Sequence, residues 1–207
     1  MLRKIFSALC MAAVILFAAQ TQASAAKVVM ILDAPTGTFS EPEKVYQVVQ
    51  DTLNNILKSS AADYEILSSA DTENYIQIYR EEHDLIFSTG ADEGSHVEKW
   101  LKKEDIDNIC THFGGDYIIY TRVTSTAPKV SVGFFSASQK TNVVTDFRVW
   151  SNSKKDFSYM KRATTTGKST AIYAGIGSSS RALEKGLKKG LLEIEKDANK
   201  IKAAMSE

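Results

Sequence analysis

Cysteine, proline and histidine are scarce in this chain: two, three and three residues among 207. Two cysteines cannot build a disulfide framework. Three prolines and 11 glycines exclude a collagen-like or Pro/Gly-rich disordered chain. Charge of one sign is lacking as well, since 25 basic residues face 25 acidic ones. A nucleic-acid binder needs a basic surface to replace phosphate counterions, so that class is disfavoured. Long apolar runs are absent except at the very start. What is present is ordinary globular composition, 43% hydrophobic.

The exception is an address. Arg3 and Lys4 give a short positive start, Ile5 to Ala19 is almost wholly apolar, and Ala23-Ser24-Ala25 supplies small residues for a signal peptidase. This is the pattern of a secretory signal peptide over 1–25, with cleavage expected after Ala25. The apolar run of about 15 residues is short of the ~20 that span a bilayer. Cys10 lies inside that run behind Leu9, not behind the small residue that lipid attachment needs, so it leaves with the leader. The mature chain, 26–207, keeps Cys110 alone and has a slight acidic excess. It has no transmembrane helix by length of apolar run, and its core must stabilise it as one domain.

Lys27 to Leu32 is a continuous apolar run bounded by turn residues, which reads as a buried strand. Ser40-Glu41-Pro42-Glu43 is a helix-start signature, and Tyr46, Val49, Leu53, Ile56 and Leu57 recur at helical spacing, predicting a helix over 41–59. Tyr64 to Leu67 reads as a short strand, and a helix opens at Asp71. Leu85-Ile86-Phe87 is open between strand and buried loop. A helix is expected over 96–113, stopped by Gly114-Gly115. The period then changes: strands are expected from Asp116 to Thr124, Thr141 to Trp150 and Phe157 to Thr166, with short connections that imply antiparallel neighbours. A helix of about 27 residues, ~40 Å long, closes the chain from Ser179 to Met205. Gly186 and Gly190 share its apolar side, which implies close approach of that helix to a sheet or to a partner helix. The sum is an α/β (α+β) domain: a mixed sheet with a strand–helix–strand start, an antiparallel meander and a long C-terminal helix, in two or three layers.

Catalytic patterns are thin. Thr166-Gly167-Lys168-Ser169 resembles the end of a phosphate-binding loop, but Arg162 stands where its first glycine belongs. Gly175 and Gly177 before a helix read as a helix entry, since no strand with an acidic ribose partner follows. Cys110 shares an apolar face with Ile106, Ile109 and Phe113, so it reads as a small core residue turned away from His112. Asp92, Glu93 and His96 are the one compact set of metal-capable side chains, weak candidates because a zinc-protease helix would need a histidine where Asp92 stands. No catalytic residue and no cofactor is assigned. Val130 to Ala137 is open between a strand and a contact loop in which Phe134 and Phe135 form an exposed aromatic tip for a partner.

The run Phe113 to Thr124, FGGDYIIYTRVT, together with the element order from Lys27 to about Lys196, resembles a group of bacterial envelope domains: CsgG-like curli-secretion proteins, the N-terminal domain of TolB, and LpoB-like activators of penicillin-binding proteins. The resemblance implies an exported α/β module without catalytic residues that binds other envelope proteins or oligomerises. Two departures stand out. The lipid-acceptor cysteine of several members is missing, and only 126–150 offers a hairpin of the kind pore-forming members insert.

The combined expectation is a non-enzymatic exported domain, soluble after signal cleavage on the periplasmic or extracellular side. Its expected partner is another cell-envelope protein, with Phe134 and Phe135 as the contact and a homo-oligomer possible. The alternatives are a subunit of an oligomeric envelope secretion or assembly complex, a periplasmic small-ligand binder, and, less favoured, an enzyme. The leading reading requires an interior devoted to holding shape, without a shielded cleft where ionisable side chains from separate segments meet.

Overall fold

The apolar run at the mature start forms the central strand β1 (Ala26–Asp33). It is hydrogen-bonded in parallel to β2 (Tyr64–Leu67) on one side and to β5 (Tyr117–Ser125) on the other. A strand covered on both edges and both faces needs apolar residues at nearly every position, which is why its sequence does not alternate. These elements come from a computed structural model that describes residues 25–34, 39, 41–58, 63–88, 96–133, 136–172 and 178–206. Apart from Ala25, the expected leader over 1–25 lies outside them.

Between β1 and β2 runs α1 (Pro42–Leu57), with proline in its first turn and Glu41 at the cap position. The path from β2 to β5 holds α2 (Ser69–Glu82), β3 (Ile86–Ser88), β4 (His96–Glu98) and α3 (Lys103–Phe113). Strands β3 and β4 form a separate antiparallel pair. The helix expected over 96–113 is therefore shorter. His96 to Glu98 pairs with Ile86 to Ser88, and the helix starts only where Asp105 can accept the Lys102 N–H at 2.7 Å and Glu104 and Asp105 meet the positive end of the helix dipole. At its other end Gly114 takes φ +60°, the left-handed cap expected of it.

The meander consists of β6 (Lys129–Val132), β7 (Ser136–Ser151) and β8 (Asp156–Ile172). One edge of β7 carries β6 and β5 in succession, and its other edge carries β8 along its whole length. The sheet is six-stranded and mixed, with β2 at one side and β8 at the other.

Three layers result. Val28, Met30, Ile119, Val123 and Phe147 face α1 and the C-terminal helices in one apolar cluster. Val29, Ile31, Ile118, Tyr120 and Trp150 point the opposite way, against residues of α2 and α3. Adjacent residues of one strand thus serve two cores, as the period of two requires.

The chain closes with the long helix α4 (Ser179–Glu195) and the short α5 (Ala198–Ala204). Helical spacing continues through Met205 as expected, but the helix turns at Lys196–Asp197. There Asp197 accepts hydrogen bonds from Tyr159 Oη and Lys161 Nζ, both at 2.9 Å, so its side chain is tied to β8. Lys161, then Tyr159, hold the Asp197 carboxyl down at about 2.

The close approach inferred for Gly186 and Gly190 is against the sheet. A Cβ on Gly186 would lie 2.3 Å from Val143 Cγ2, and one on Gly190 would lie 2.7 Å from Thr145 Oγ1. Gly167 on β8 meets the same helix, its Cβ position 1.6 Å from the Ala182 carbonyl oxygen. Inside a strand and under a helix, Gly167 serves packing. That removes the phosphate-loop reading of 166–169.

Candidate functional site

Asp33 ends β1 on the face covered by α2 and α3. It is 4% exposed, and a charge so placed needs partners. Arg80 on α2 supplies one, Nη2 at 3.1 Å from Asp33 Oδ2, and Arg122 on β5 another, Nη1 at 3.3 Å from the same oxygen. Tyr120 Oη donates a hydrogen bond to it as well. Arg80 also donates to the Lys99 carbonyl at 3.1 Å. Burial, then the adjacent Asp33, pushes the Tyr120 phenol well above its ordinary range.

The cluster continues across the sheet. In register, Asp33 pairs with Arg122, Arg122 with Asp146 on β7, and Asp146 with Arg162 on β8. Charges of alternating sign thus cross four strands. Arg162 grips Asp146 with two hydrogen bonds, Nε at 2.8 Å and Nη2 at 3.2 Å. Trp100, 38% exposed, lies with its ring 3.9 Å from the Arg122 guanidinium and 5.1 Å from that of Arg148, within cation–π range.

Ionisable side chains from three separate segments do meet in the interior, which corrects the expectation of an interior without such a meeting. They meet packed against one another and under Trp100. One Asp33 oxygen receives three donors, and guanidinium groups do not release protons. This geometry clamps β1, β5 and α2 together.

Of the residues singled out from sequence, Phe134, Phe135, Asp92 and Glu93 lie outside the described residues. His96 opens strand β4, so the helical spacing that would put Glu93 and His96 on one face does not apply. Among the described residues no group of three or more His, Cys, Asp or Glu side chains is placed to hold a metal. Cys110 is buried, its Sγ donating to the Gly115 carbonyl at 3.2 Å, and burial pushes its thiol up to about 11. His112 stacks on Tyr75 at 3.7 Å instead. Val130 to Ala137 resolves in part as strand: β6 ends at Val132 and β7 begins at Ser136. All four β6 residues are exposed, Val130 by 53% and Val132 by 76%.

One groove among the described residues lies between α1 and α4, lined by Lys44, Val45, Val48, Glu184, Leu187 and Lys188, with a volume of about 50 Å³. That is room for one or two waters, far below the ~300 Å³ at which ligand pockets begin.

The charge cluster was missed in the sequence. Its signal is a lone arginine inside the β-branched and aromatic run YIIYTRVT, and an aspartate directly after the buried run KVVMIL. Each announces a charge where a strand has no water to offer, and hence a partner elsewhere.

No family model matches the sequence, and no curated protein matches it significantly. Solved structures align with this chain at low identity and with TM-scores under 0.5. Lipoprotein GNA1162 from Neisseria meningitidis is 13% identical with a TM-score of 0.37, over 84% of this chain and 99% of that one. A minor lipoprotein from Acinetobacter baumannii is 9% identical with a TM-score of 0.31, over 86% and 92%. The LpoB C-terminal domain from Salmonella enterica is 9% identical with a TM-score of 0.30, over 70% and 87%. Bacterial lipoproteins are thus among the structural neighbours.

Proposed function

We propose that this chain is an exported, non-catalytic domain of the bacterial cell envelope that works by binding or scaffolding another envelope protein. The carrying observation is the β6–β7 hairpin. Val130 and Val132 stand open to solvent on a strand with no covered side chain, and they lead directly into Phe134 and Phe135. Apolar side chains standing open to solvent on an edge strand, as Val130 and Val132 do, are costly in water and gain by being covered.

Two further features support the reading. The apolar signal-like start argues for export. The buried ionisable groups are held by one another or by burial: Asp33 by three donors, Asp146 by Arg162, and the Cys110 thiol raised away from reactivity. No helix among the described residues is long and apolar enough to cross a membrane, in keeping with a domain that meets its partner through its surface.

The test is a photoreactive residue placed at Val132 and irradiated in intact envelopes. The expected result is one dominant crosslink to a different protein, absent when the same residue stands at Asn54 on the exposed side of α1. Equal labelling from both positions would refute the hairpin as the contact.

A further inference from the structure

Strands β6, β7 and β8 bring three lysines abreast. Lys129 on β6 is the register partner of Lys140 on β7, and Lys140 is that of Lys168 on β8. Neighbouring strands lie about 4.8 Å apart, so three like charges stand side by side, an arrangement that costs a sheet stability. All three residues are exposed. Among the described residues none of their side chains has an ion pair or a hydrogen bond.

The face they share follows from Gly167. That residue turns toward α4, its Cβ position 1.6 Å from the Ala182 carbonyl oxygen. Lys168 beside it therefore points to the opposite face, and Lys140 and Lys129 point with it. Helices α2 and α3 cover this face near Trp150, which lies ~30 Å further along β7 at ordinary strand rise. Around the lysines stand Ser131, Asn142, Thr164, Thr166 and Thr170, all exposed. Charge is sorted along the chain in the same sense. No acidic residue occurs from Tyr117 to Thr145 or from Phe157 to Leu183, although acids slightly outnumber bases over 26–207 as a whole. Protection of open edges accounts for lysine on β6 and on β8. It does not account for Lys140, whose strand is paired on both sides.

We propose that this lysine face rests on an anionic phospholipid surface. Charge complementarity calls for an anionic partner, and the chemistry of the face selects lipid over protein. Protein interfaces are depleted in lysine and built around buried aromatic or apolar anchors, whereas the side chains around these lysines are hydroxyls and an amide. A phosphate of fixed geometry favours the planar fork of arginine. Lysine ammoniums are mobile point charges, suited to headgroups that move beneath a flat sheet. This rests on the reading that the domain is exported to the envelope. It adds a surface on the other face from Val130 and Val132, which alternate with Lys129 and Ser131 along β6.

The experiment sediments the mature chain with vesicles of equal parts phosphatidylglycerol and phosphatidylcholine, and with vesicles of phosphatidylcholine alone. Binding is expected to the first only, weakening as salt rises. A lysine near an anionic surface is worth ~1 kcal/mol, or about fivefold in partitioning. Lys129→Gln/Lys140→Gln/Lys168→Gln should therefore bind about a hundredfold more weakly, with a melting temperature that holds or rises as repulsion is relieved. The variant Lys185→Gln/Lys188→Gln/Lys196→Gln makes the same change of net charge on the exposed side of α4, and should keep its binding. Any of three results overturns the proposal: no preference for the anionic vesicles, equal loss in both triple variants, or unchanged binding in the first. Polyglutamate that strips the protein from vesicles at a tenth of the lipid charge would also overturn it, by assigning the face to an acidic protein segment. The Val132 crosslink reads the hairpin separately. Its loss with vesicle binding intact would remove the protein contact and leave the lysine face standing.

Discussion

At Asp33 one carboxylate oxygen organises two guanidinium groups and a phenol contributed by α2 and β5. The arrangement is costly to assemble, because every charge in it gives up water, and more costly to leave half made. Asp33→Asn keeps the shape and removes the charge, so Arg80 and Arg122 lose the acceptor they share. The expected loss is about 3–5 kcal/mol, read as a lower urea midpoint at unchanged slope. A loss below about 1 kcal/mol would show that Asp146, the cross-strand neighbour of Arg122, already balances the pair. At this scale the sequence was only partly legible. Cys110 reads correctly as core because its neighbours at helical spacing are apolar. The Asp33 network escapes because its members lie 40 or more positions apart, except Tyr120 and Arg122, and nothing local says which charges meet.

Among the elements, the contact between α4 and the sheet is the one most dependent on particular residues. Gly186 and Gly190 let the helix backbone settle on Val143 and Thr145, and Gly167 lets the strand rise to meet Ala182. Gly186→Ala should gain ~1 kcal/mol of helix propensity yet lose more to overpacking against Val143. The expected net destabilisation is about 1–3 kcal/mol. Combining it with Val143→Ala should cost less than the two single changes added together, since the clash and the cavity offset each other. Strict additivity in thermal or urea unfolding would show that the helix shifts freely instead. The glycine spacing told of this contact in advance, because glycine inside a helix has few other uses. The break at Lys196–Asp197 did not show, since the apolar steps of four and three run straight across it. Its cause is Asp197 binding Tyr159 and Lys161 on another element. The strand at His96 to Glu98 was hidden for a similar reason: three residues carry too little period to reveal a pairing with Ile86 to Ser88.

For the whole molecule, the order strand, helix, strand, meander and closing helix was readable because each element is long enough to show its period. The three-layer arrangement follows once both faces of β1 must be covered. What the molecule does is less legible, since binding surfaces carry no spacing rule of the kind that marks a metal or phosphate site. The account rests on a domain whose interior holds shape and whose exposed strands do the work. The most direct measurement is quantitative capture of envelope proteins by the mature chain and by a Phe134→Ser/Phe135→Ser variant, with melting temperatures taken on the same samples. The account predicts a melting temperature nearly unchanged and capture of the specific partner abolished. Marked destabilisation, or capture that persists in the variant, would contradict it.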